Sequence, residues 1–581
     1  MTISIYYDGE CPFCAKYVSF LRLKEAVGSV DLVNLRDHSE KRDEFISQGY
    51  DVDQGMVVDM NGKLSFGTDA VNQLALLSTP SGIFNKINKF LFSSTFLAAL
   101  LYPILKAGRW LVLFLLGRDQ LNPTETAPHS RATIFASLFA LFSLFHFFNY
   151  SLEYGRFSEI EYDLLFVVFS AILLFVKPDS PRLLFLLMFA STISAIAQAP
   201  ISSNHTIVRN FVLLGYWISF GLAMIRGSKR SDIFTNFTTS GQAVLVIMYF
   251  FGVFHKINTD FLDPTVSCAT ALWQDMPWPL HLIDHPFMYY LAIYGTFIVE
   301  GALLLMLFNR RTRHIAVVFG ILFHLMLGMS NFSMYISFTT LAIALHCLFL
   351  NDESATNIQN SDLMRTIRNR VRSPLYLFAA VVLALIAATT VYLTQQYSIM
   401  TMFMIPFLGP FCYAIIRHGS SKEVLLGPEN RRSANTIGVV VGVLFFINCW
   451  APFLGLKTAQ SVNMFANLRL EGGVSNHLIM KAPPGPAQYL EDLVKIQGSE
   501  GGKIFKFYEG EDRAMVYYEL LARLSDNPEV SVTYIRAGIL YEDMTAETLS
   551  DEIETTLHPK WVRKWFHFKN VDLQTPKTCA R

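Results

Sequence analysis

The sequence predicts a polytopic all-α membrane domain with about 11 transmembrane helices, preceded by an N-terminal α/β domain and followed by a small C-terminal α+β domain. Hydrophobic residues make up 52% of the 581 residues and charged residues only 16%, and the mean hydropathy is +0.35. That composition is too apolar for an ordinary soluble protein. Long apolar runs begin near residue 132, and a Cys-x-x-Cys segment precedes them among short strand and helix patterns.

The charge and cysteine content exclude several classes of protein. The formal net charge is zero, and the sequence has no basic or acidic block, so nucleic-acid binding has no support. The seven cysteines are scattered except for one pair, which does not resemble a disulfide framework. The first apolar run is a short strand followed by charged helix-like sequence, and we therefore expect no signal peptide.

The first 120 residues carry the pattern of a thioredoxin-like domain. Asn61-Gly62 is a strong hairpin signal between two short strands. The predicted order is β-α-β-α-β-β-α, with strands at Ile3–Tyr7, Val30–Leu35, Gly55–Asp59 and Lys63–Phe66, and helices from Cys14 to about Val27, from Asp37 to about Gln48 and over Thr68–Leu77. The apolar run Phe90–Gly117 contains Pro103, Lys106 and Arg109, which predicts an amphipathic helix lying on the membrane surface.

The Cys11-Pro-Phe-Cys14 dithiol lies where the first strand meets the first helix. A helix N-terminus stabilises a thiolate at Cys11, and the spacing lets Cys14 resolve a mixed disulfide. Half of a zinc site and two structural cysteines are the alternatives. Because no second Cys-x-x-Cys exists to complete a zinc site, the pattern favours redox chemistry, and we expect no metal.

The stretch from Tyr7 to Cys14 resembles the DCC family of thiol-disulfide oxidoreductases, whose Asp-Gly-x-Cys-x-x-Cys signature is matched by Asp8, Cys11 and Cys14. The resemblance implies that these three residues are catalytic and that they react with a thiol or disulfide partner protein, which the sequence does not identify. The chain departs from ordinary thioredoxins because Gly55-Met56 stands where the cis-proline loop is usual. We therefore expect substrate handling to differ.

Residues 130–453 contain the apolar runs that are long enough to cross a bilayer. The predicted spans are roughly 133–149, 162–176, 182–199, 209–226, 240–255, 287–308, 313–329, 332–350, 374–394, 399–417 and 435–453. One set of loops carries sixteen basic residues and the alternate set only Arg156, Arg209 and Lys256. By the positive-inside rule, the first set is cytoplasmic. The N-terminus is then cytoplasmic, the C-terminus is extracytoplasmic, and we expect a bacterial inner membrane.

Polar residues gather on the predicted outer side of these spans, in front of an apolar interior. This pattern is typical of a binding site in a membrane protein. Each residue also has a simpler interpretation: Lys256 as a snorkelling anchor, an outer-loop histidine as a solvated residue, and an intramembrane histidine as a packing residue. The polar residues are Asn204, His205, Lys256, Asp260, His324 and Ser333, and the apolar Met334 lies at the same level.

Three segments resemble the horizontally transferred transmembrane (HTTM) domain family, which includes vitamin K-dependent gamma-carboxylase. They are Asn204-His205-Thr206, Tyr249–Asp260 and Phe323–Met334. The resemblance implies that Lys256 deprotonates reduced vitamin K or a menaquinol-like quinol, and that His205 stabilises the developing oxyanion. In the carboxylase, oxygen addition then gives a strong base and a quinone epoxide, the base removes a proton from a glutamate γ-carbon, and CO2 is captured. This chemistry requires a dry pocket and a lysine that is unprotonated at rest.

Other residues of the membrane domain and the tail are less informative. Glu300, inside the sixth span, is interpreted as protonated or hydrogen-bonded to a neighbouring helix, with a proton relay as the alternative. The aromatic and proline-rich loop Ile257–Pro286 is predicted to lid the site. Cys268 in that loop and Cys579 in the tail are both predicted outside, which leaves a disulfide open.

Residues 454–581 are predicted to be an extracytoplasmic segment that ends in a small α+β domain. Asn467, Arg469 and His477 are candidates either for facing the outer pocket or for plain packing. Strands are predicted at Lys503–Tyr508 and Val530–Arg536, with a helix at Asp512–Leu524 between them. The domain is too short to contain the large lumenal part of the animal carboxylase, and this weakens the implication of protein carboxylation more than that of quinol chemistry.

The sequence therefore predicts an integral-membrane oxidoreductase that combines a dithiol module with a carboxylase-like membrane domain. Its partners are the lipid bilayer, a quinol and a thiol or disulfide protein. Two alternatives stay open. In one, only Cys11 and Cys14 are catalytic and the membrane part is an anchor. In the other, the membrane part is a carrier or sensor without catalysis.

Overall fold

The computed structural model describes residues 3–20, 29–79, 83–122, 130–153, 161–199, 203–276, 282–309, 311–331, 335–394, 396–419, 431–481, 485, 487–509 and 512–579. The chain divides into two compact units. The first contains residues 1–128 and 216–235, and the second contains residues 129–215 and 236–581.

The first unit is built on a four-stranded sheet with the order β2-β1-β3-β4. β1 pairs parallel with β2 and antiparallel with β3, and β3 pairs antiparallel with β4. The predicted order of strands and helices is confirmed. The elements are β1 Ile3–Tyr7, α1 Pro12–Phe20, β2 Val30–Asn34, α2 Ser39–Ser47, β3 Val57–Met60, β4 Lys63–Phe66, α3 Thr68–Leu77, α4 Ile83–Phe92 and α5 Thr95–Leu116.

The alternation of buried apolar residues along the central strand β1 explains why this sheet forms. Ile3 and Ile5 of β1 are buried in one apolar core with Val58 of β3 and Leu74 of α3. The β3–β4 hairpin turns at Asn61-Gly62, where both residues have a positive φ, as the sequence predicted. β1 thus ends in the middle of the sheet, directly before the dithiol.

The segment predicted to be an amphipathic helix forms the end of α4 and all of α5, and its position on the membrane surface stays a prediction. Helix α5 runs for 22 residues through Pro103 and is long and apolar enough to cross a membrane. Arg109, expected to mark a polar face, is only 6% exposed because it packs against the dithiol domain. A buried cation inside an apolar helix requires partners within the protein.

The second unit is mostly helical, and two helices, α9 Asn204–Arg226 and α10 Ser231–Phe254, also contribute residues to the first unit. Among the described residues, nine helices, including α5, are long and apolar enough to cross a membrane. Three further helices in the described ranges are apolar but shorter, namely α7 Tyr162–Val176, α14 Arg313–Gly328 and α15 Tyr335–Cys347. Every predicted span coincides with a helix, whereas the count of about 11 transmembrane helices stays a prediction. The helices that coincide with the predicted spans are α6 Ser130–Glu153, α7 Tyr162–Val176, α8 Pro181–Gln198, α9 Asn204–Arg226, α10 Ser231–Phe254, α13 Pro286–Phe308, α14 Arg313–Gly328, α15 Tyr335–Cys347, α18 Pro374–Thr394, α19 Tyr397–His418 and α20 Arg431–Trp450.

Short helices connect these segments. α11 Thr259–Leu262 and α12 Cys268–Gln274 lie in the predicted lid loop. α16 Asp352–Asn360 and α17 Asp362–Val371 lie in a loop predicted to be cytoplasmic.

The C-terminal domain contains a five-stranded sheet with the order β8-β7-β5-β6-β9. The strand predicted at Lys503–Tyr508 is wrong: the segment ends in a short 3₁₀ helix, because Phe505 and Tyr508 are three residues apart and bury the same face. The elements are β5 Leu493–Glu500, β6 Arg513–Val516, α21 Tyr517–Asp526, β7 Ser531–Arg536, β8 Ile539–Met544, α22 Ser550–Thr556, α23 Lys560–Arg563 and β9 Val571–Asp572. β7 confirms one predicted strand, whereas the predicted helix begins later, after β6.

Candidate functional site

The dithiol of the first unit lies at the start of α1, as predicted. The backbone N–H of Cys14 donates to the Sγ of Cys11 over 3.2 Å, and the Cys11 side chain is buried. The neighbouring Cys14 thiol and the positive charge of Arg109 lower the pKa of Cys11 to about 6, whereas the hydrogen bond to Cys11 and burial raise the pKa of Cys14. Cys11 is therefore the thiolate of the pair, and Cys14 keeps its proton.

Asp8 is buried behind the dithiol and holds two arginines. Its Oδ1 accepts from the Nε of Arg36 at 2.9 Å, and its Oδ2 accepts from Arg109 at 3.2 Å. Burial raises the pKa of the Asp8 carboxyl, but the hydrogen bond and charge of Arg36 and the charge of Arg109 outweigh burial and lower it. An ionised Asp8 positions the Arg109 guanidinium that stabilises the Cys11 thiolate.

Arg36 and Arg109 are site residues that the sequence did not reveal. Arg109 also donates to the carbonyl oxygen of Asp53 over 2.8 Å, which joins α5 to the loop before β3. The signal for Arg109 was present: a charged residue interrupts an apolar helix, and such residues commonly serve a site.

The second unit contains a cavity of about 120 Å³ among α9, α10, α12, α13, α14, α15 and the segment after α20. The predicted site residues Asn204, His205, Lys256 and His324 line it. Most of the remaining lining is apolar, including Met248, Phe338 and Phe465. Helices that are distant in sequence thus bring four predicted residues to one place.

Lys256 forms an ion pair with Glu300 at this cavity. The Lys256 Nζ lies 2.7 Å from one carboxylate oxygen of Glu300 and 2.8 Å from the other. Gly252 makes room for the pair, because a Cβ there would come within 2.9 Å of the Glu300 carboxylate. Glu300 is thus a partner of Lys256 that the sequence did not identify, and the expectation of a lysine that is unprotonated at rest stays a prediction.

A hydrogen-bonded chain ends at His324. His346 Nδ1 lies 2.7 Å from the carbonyl oxygen of Ala342, so this nitrogen carries the proton and its Nε2 is an acceptor. The Tyr249 hydroxyl, 3.1 Å away, donates to that Nε2 and accepts from the Nε2 of His324 at 2.7 Å. This order leaves the Nδ1 of His324 as an acceptor, and it has no hydrogen-bond partner among the described residues.

His205 and Asn204 are held at the start of α9. The Nε2 of His205 lies 3.0 Å from the Nδ1 of His146, and the Ser203 hydroxyl lies 2.9 Å from the Nδ1 of His205. The side chain of Asn204 accepts from the backbone N–H of Val462 over 2.8 Å, which ties the helix to the segment after α20. His146 was not predicted as a site residue.

Asp260 is not among the residues that line this cavity, and its predicted place in the binding site stays a prediction. Its carboxylate accepts from Asn476 and from the backbone N–H of Lys577, both at 2.9 Å, and joins the lid loop to the tail. Asn467 and His477 likewise bond to backbone groups. The predicted residues Ser333 and Met334 lie outside the described residues.

The lid loop is anchored to the tail by a disulfide between Cys268 and Cys579, the pairing that the sequence left open. Cys268 begins α12, whose Ala269 and Leu272 line the cavity. The disulfide therefore fixes one wall of the cavity. Within the described ranges, no cluster of three or more His, Cys, Asp or Glu side chains is placed to hold a metal ion.

Comparison with known families assigns a domain to each of two segments of the chain. Residues 5–114 match the family model of the DCC1-like thiol-disulfide oxidoreductase, and residues 224–353, which include Lys256, Glu300 and His324, match that of the HTTM domain. Comparisons with curated proteins and with solved structures gave no match. The chain is therefore a fusion of a DCC1-like thiol-disulfide oxidoreductase domain with an HTTM domain, and the two together indicate a redox protein of the membrane.

Proposed function

We propose that the cavity around Lys256 and Glu300 binds a quinol and removes a proton from its hydroxyl group, as the first step of quinol oxidation by oxygen. The observation that supports this most strongly is the Lys256–Glu300 ion pair at the wall of an apolar cavity. Paired charges of this kind inside a membrane domain commonly mark a functional site.

The residues present fit a quinol head group. A cavity of about 120 Å³ is close to the size that admits one aromatic ring. Its apolar lining suits the ring, and the Lys256 amine, the Glu300 carboxylate and the free acceptor nitrogen of His324 suit a hydroxyl group. When bound, the quinol supplies the electrons for the reduction of oxygen.

The ion pair supplies a base without an unprotonated lysine at rest. Exclusion of water by a bound apolar ring disfavours both charges, so the proton moves from the Lys256 ammonium to Glu300 and leaves a neutral amine. That amine accepts the hydroxyl proton. His205 also lines the cavity, but its two ring nitrogens contact His146 and Ser203, so it can hydrogen-bond the resulting oxygen anion only by giving up one of these contacts.

We propose quinol oxidation and no later step at this cavity. The C-terminal domain is small. Asp260 and Cys268 of the lid loop bond to Lys577 and Cys579 of the tail, and Asn467 also bonds to Lys577. These contacts hold the lid loop in place. These contacts give no support to a peptide-binding role, and we therefore propose no protein carboxylation.

The test is oxygen uptake and quinol loss by the purified full-length protein in lipid nanodiscs. Wild type should oxidise a short-chain vitamin K quinol or menaquinol, and Lys256→Met should lower the rate by about a hundredfold or more. Lys481→Met, which changes an exposed lysine, is the matched control. Equal rates in all three proteins would exclude Lys256 from the reaction, and no turnover in wild type would favour the anchor or carrier alternatives.

We also propose that the N-terminus is cytoplasmic and the C-terminus extracytoplasmic, in a bacterial inner membrane. The distribution of sixteen basic residues over alternate loops supports this orientation. The Cys268–Cys579 disulfide supports it independently, because disulfides persist in oxidising compartments outside the cytoplasm.

A further inference from the structure

The first unit has a larger cavity, of about 560 Å³, directly beside the dithiol. Phe13 and Cys14 form one wall, and Gly55 and Met56 form another. The remaining walls come from α3, α4 and α5. The cavity therefore brings the sulfur of Cys14 next to a partly open, largely apolar space.

Gly55 lets α5 approach the dithiol at the position where thioredoxins carry their cis-proline loop. The Tyr102 hydroxyl of α5 donates to the carbonyl oxygen of Gln54 over 2.9 Å. A Cβ on residue 55 would collide with that hydroxyl and with the Cα of Gly67. In thioredoxins this surface holds a peptide. Here the apolar helix α5 covers it.

Helix α4, beside the cavity, has its apolar side facing outward. Ile83, Ile87 and Phe90, which share one helical face, are 79%, 52% and 75% exposed. Asn85 and Asn88, on the other face, are buried. This inversion is expected for a helix whose apolar face contacts lipid.

The apolar surface continues onto α5 and reaches the cavity. Ile87 of α4 and Ile104 and Leu105 of α5 are exposed and also line the cavity. An exposed apolar surface of this extent on two adjacent helices is typical of a membrane contact. A molecule dissolved in the lipid can therefore enter the cavity without crossing water.

Polar groups inside the cavity suit a carbonyl oxygen. Arg109, 6% exposed, lines the cavity, and its Nε has no hydrogen-bond partner among the described residues. The amide of Asn88 and the hydroxyl of Tyr17 also line the cavity. Lys16, Lys106 and Gln54 line the cavity as well, and Lys106 donates to Gln54. Hydrogen-bond donors in a space that is lined mainly by apolar side chains match a flat ring that carries carbonyl groups.

We propose that this cavity binds a lipid-soluble quinone, which oxidises the Cys11/Cys14 dithiol. The Sγ–Sγ bond forms as the Cys14 S–H bond breaks, and two electrons pass from the sulfurs to the quinone. One proton comes from Cys14 and the second from water, since Cys11 is already ionised, so both quinone oxygens become hydroxyl groups. The inference goes beyond the reaction proposed at Lys256 and does not depend on it.

The burial of Cys11 favours a small oxidant over a protein disulfide. Its side chain has no exposed surface, whereas Cys14 is partly exposed and faces the cavity. A folded partner protein cannot bring its disulfide to Cys11 without movement of this loop, but a ring in the cavity contacts Cys14 directly.

The test uses the reduced full-length protein in nanodiscs without oxygen, so that the reaction proposed at Lys256 cannot consume the quinol. A short-chain ubiquinone or menaquinone is added, and quinol absorbance and the mass shift of alkylated Cys11 and Cys14 are followed together. Leu105→Trp fills the cavity from its rim, and Leu100→Trp, on an equally exposed position of α5 that does not line the cavity, is the matched control.

We expect wild type and Leu100→Trp to form one quinol for each disulfide. The reaction of Leu105→Trp with quinone should be slower by at least about tenfold. A small water-soluble disulfide should oxidise all three proteins equally, which shows that the dithiol is intact. The proposal is overturned if quinone does not oxidise the dithiol of wild type, or if it oxidises the dithiol at the same rate in all three proteins. The proposal is also overturned if Leu105→Trp prevents thiol-disulfide exchange between the dithiol and an apolar cysteine-containing peptide but leaves the quinone reaction unchanged. Oxygen-dependent quinol oxidation is measured separately, so either proposal can fail alone.

Discussion

The ammonium of Lys256 lies within 2.8 Å of both carboxylate oxygens of Glu300, where the end of α10 meets the middle of α13. The two residues are 44 positions apart, and each lies in or beside an apolar helix. Removing one partner of a buried ion pair costs about 3–5 kcal/mol, whereas removing both is often nearly neutral. The pair therefore has to be studied through single and double variants.

Glu300→Gln should lower quinol oxidation by about a hundredfold, because Lys256 then has no acceptor for its proton. The activity that remains should rise with pH, since only solvent can deprotonate the lysine. Steady-state rates across pH test this. Glu353→Gln, at an exposed position of α16, is the control. A pH profile identical to that of wild type would remove Glu300 from the proton path.

Lys256→Met combined with Glu300→Met should be as stable as wild type or more so, yet inactive in quinol oxidation. Each single variant should be less stable than the double variant, because it leaves one charge buried without its partner. Thermal midpoints in detergent and oxygen uptake measure the two properties separately. Activity in the double variant would mean that the pair has only a structural role.

Arg109→Gln should move the titration of the Cys11 thiolate upward from a pKa of about 6 by about one pH unit. The thiolate fraction rises as pH passes the pKa, so at neutral pH the variant has less thiolate than wild type. The ultraviolet absorbance of the thiolate, corrected with Cys11→Ser, gives the midpoint. Arg118→Gln, which removes an exposed arginine beside Glu10, should leave the midpoint in place. A midpoint that moves equally in both variants would refute a specific role for Arg109.

The sequence predicted the order of elements in the dithiol domain because alternation, the Asn61-Gly62 turn and the Cys-x-x-Cys position are local signals. It also placed Lys256, His205 and His324 at one cavity, because apolar runs and basic loops determine which span ends meet. Pairing between distant helices has no local signal. Glu300 and Arg109 were therefore recognised only as polar residues in apolar runs, and Asp260 was assigned to the site although it bonds to the tail.

Cys268→Ser and Cys579→Ser should each lower the stability of the protein by about 2–5 kcal/mol, because the disulfide closes a chain segment of 311 residues. Since α12 forms part of the cavity wall, the Michaelis constant for quinol should rise more than the turnover number falls. Thermal melting and quinol kinetics test this, with Cys412→Ala as a free-cysteine control. Unchanged stability in both serine variants would mean that the tail holds the loop without the disulfide.

The most direct test of the central claim is to detect deprotonation itself. Reduced quinol is mixed with the protein in the absence of oxygen, and the absorbance of the quinol anion is followed by stopped flow. If Lys256 and Glu300 act as proposed, wild type will form the anion and Lys256→Met will bind quinol without forming it. An anion that appears equally in both proteins would show that another group removes the proton, and would contradict the account of this cavity.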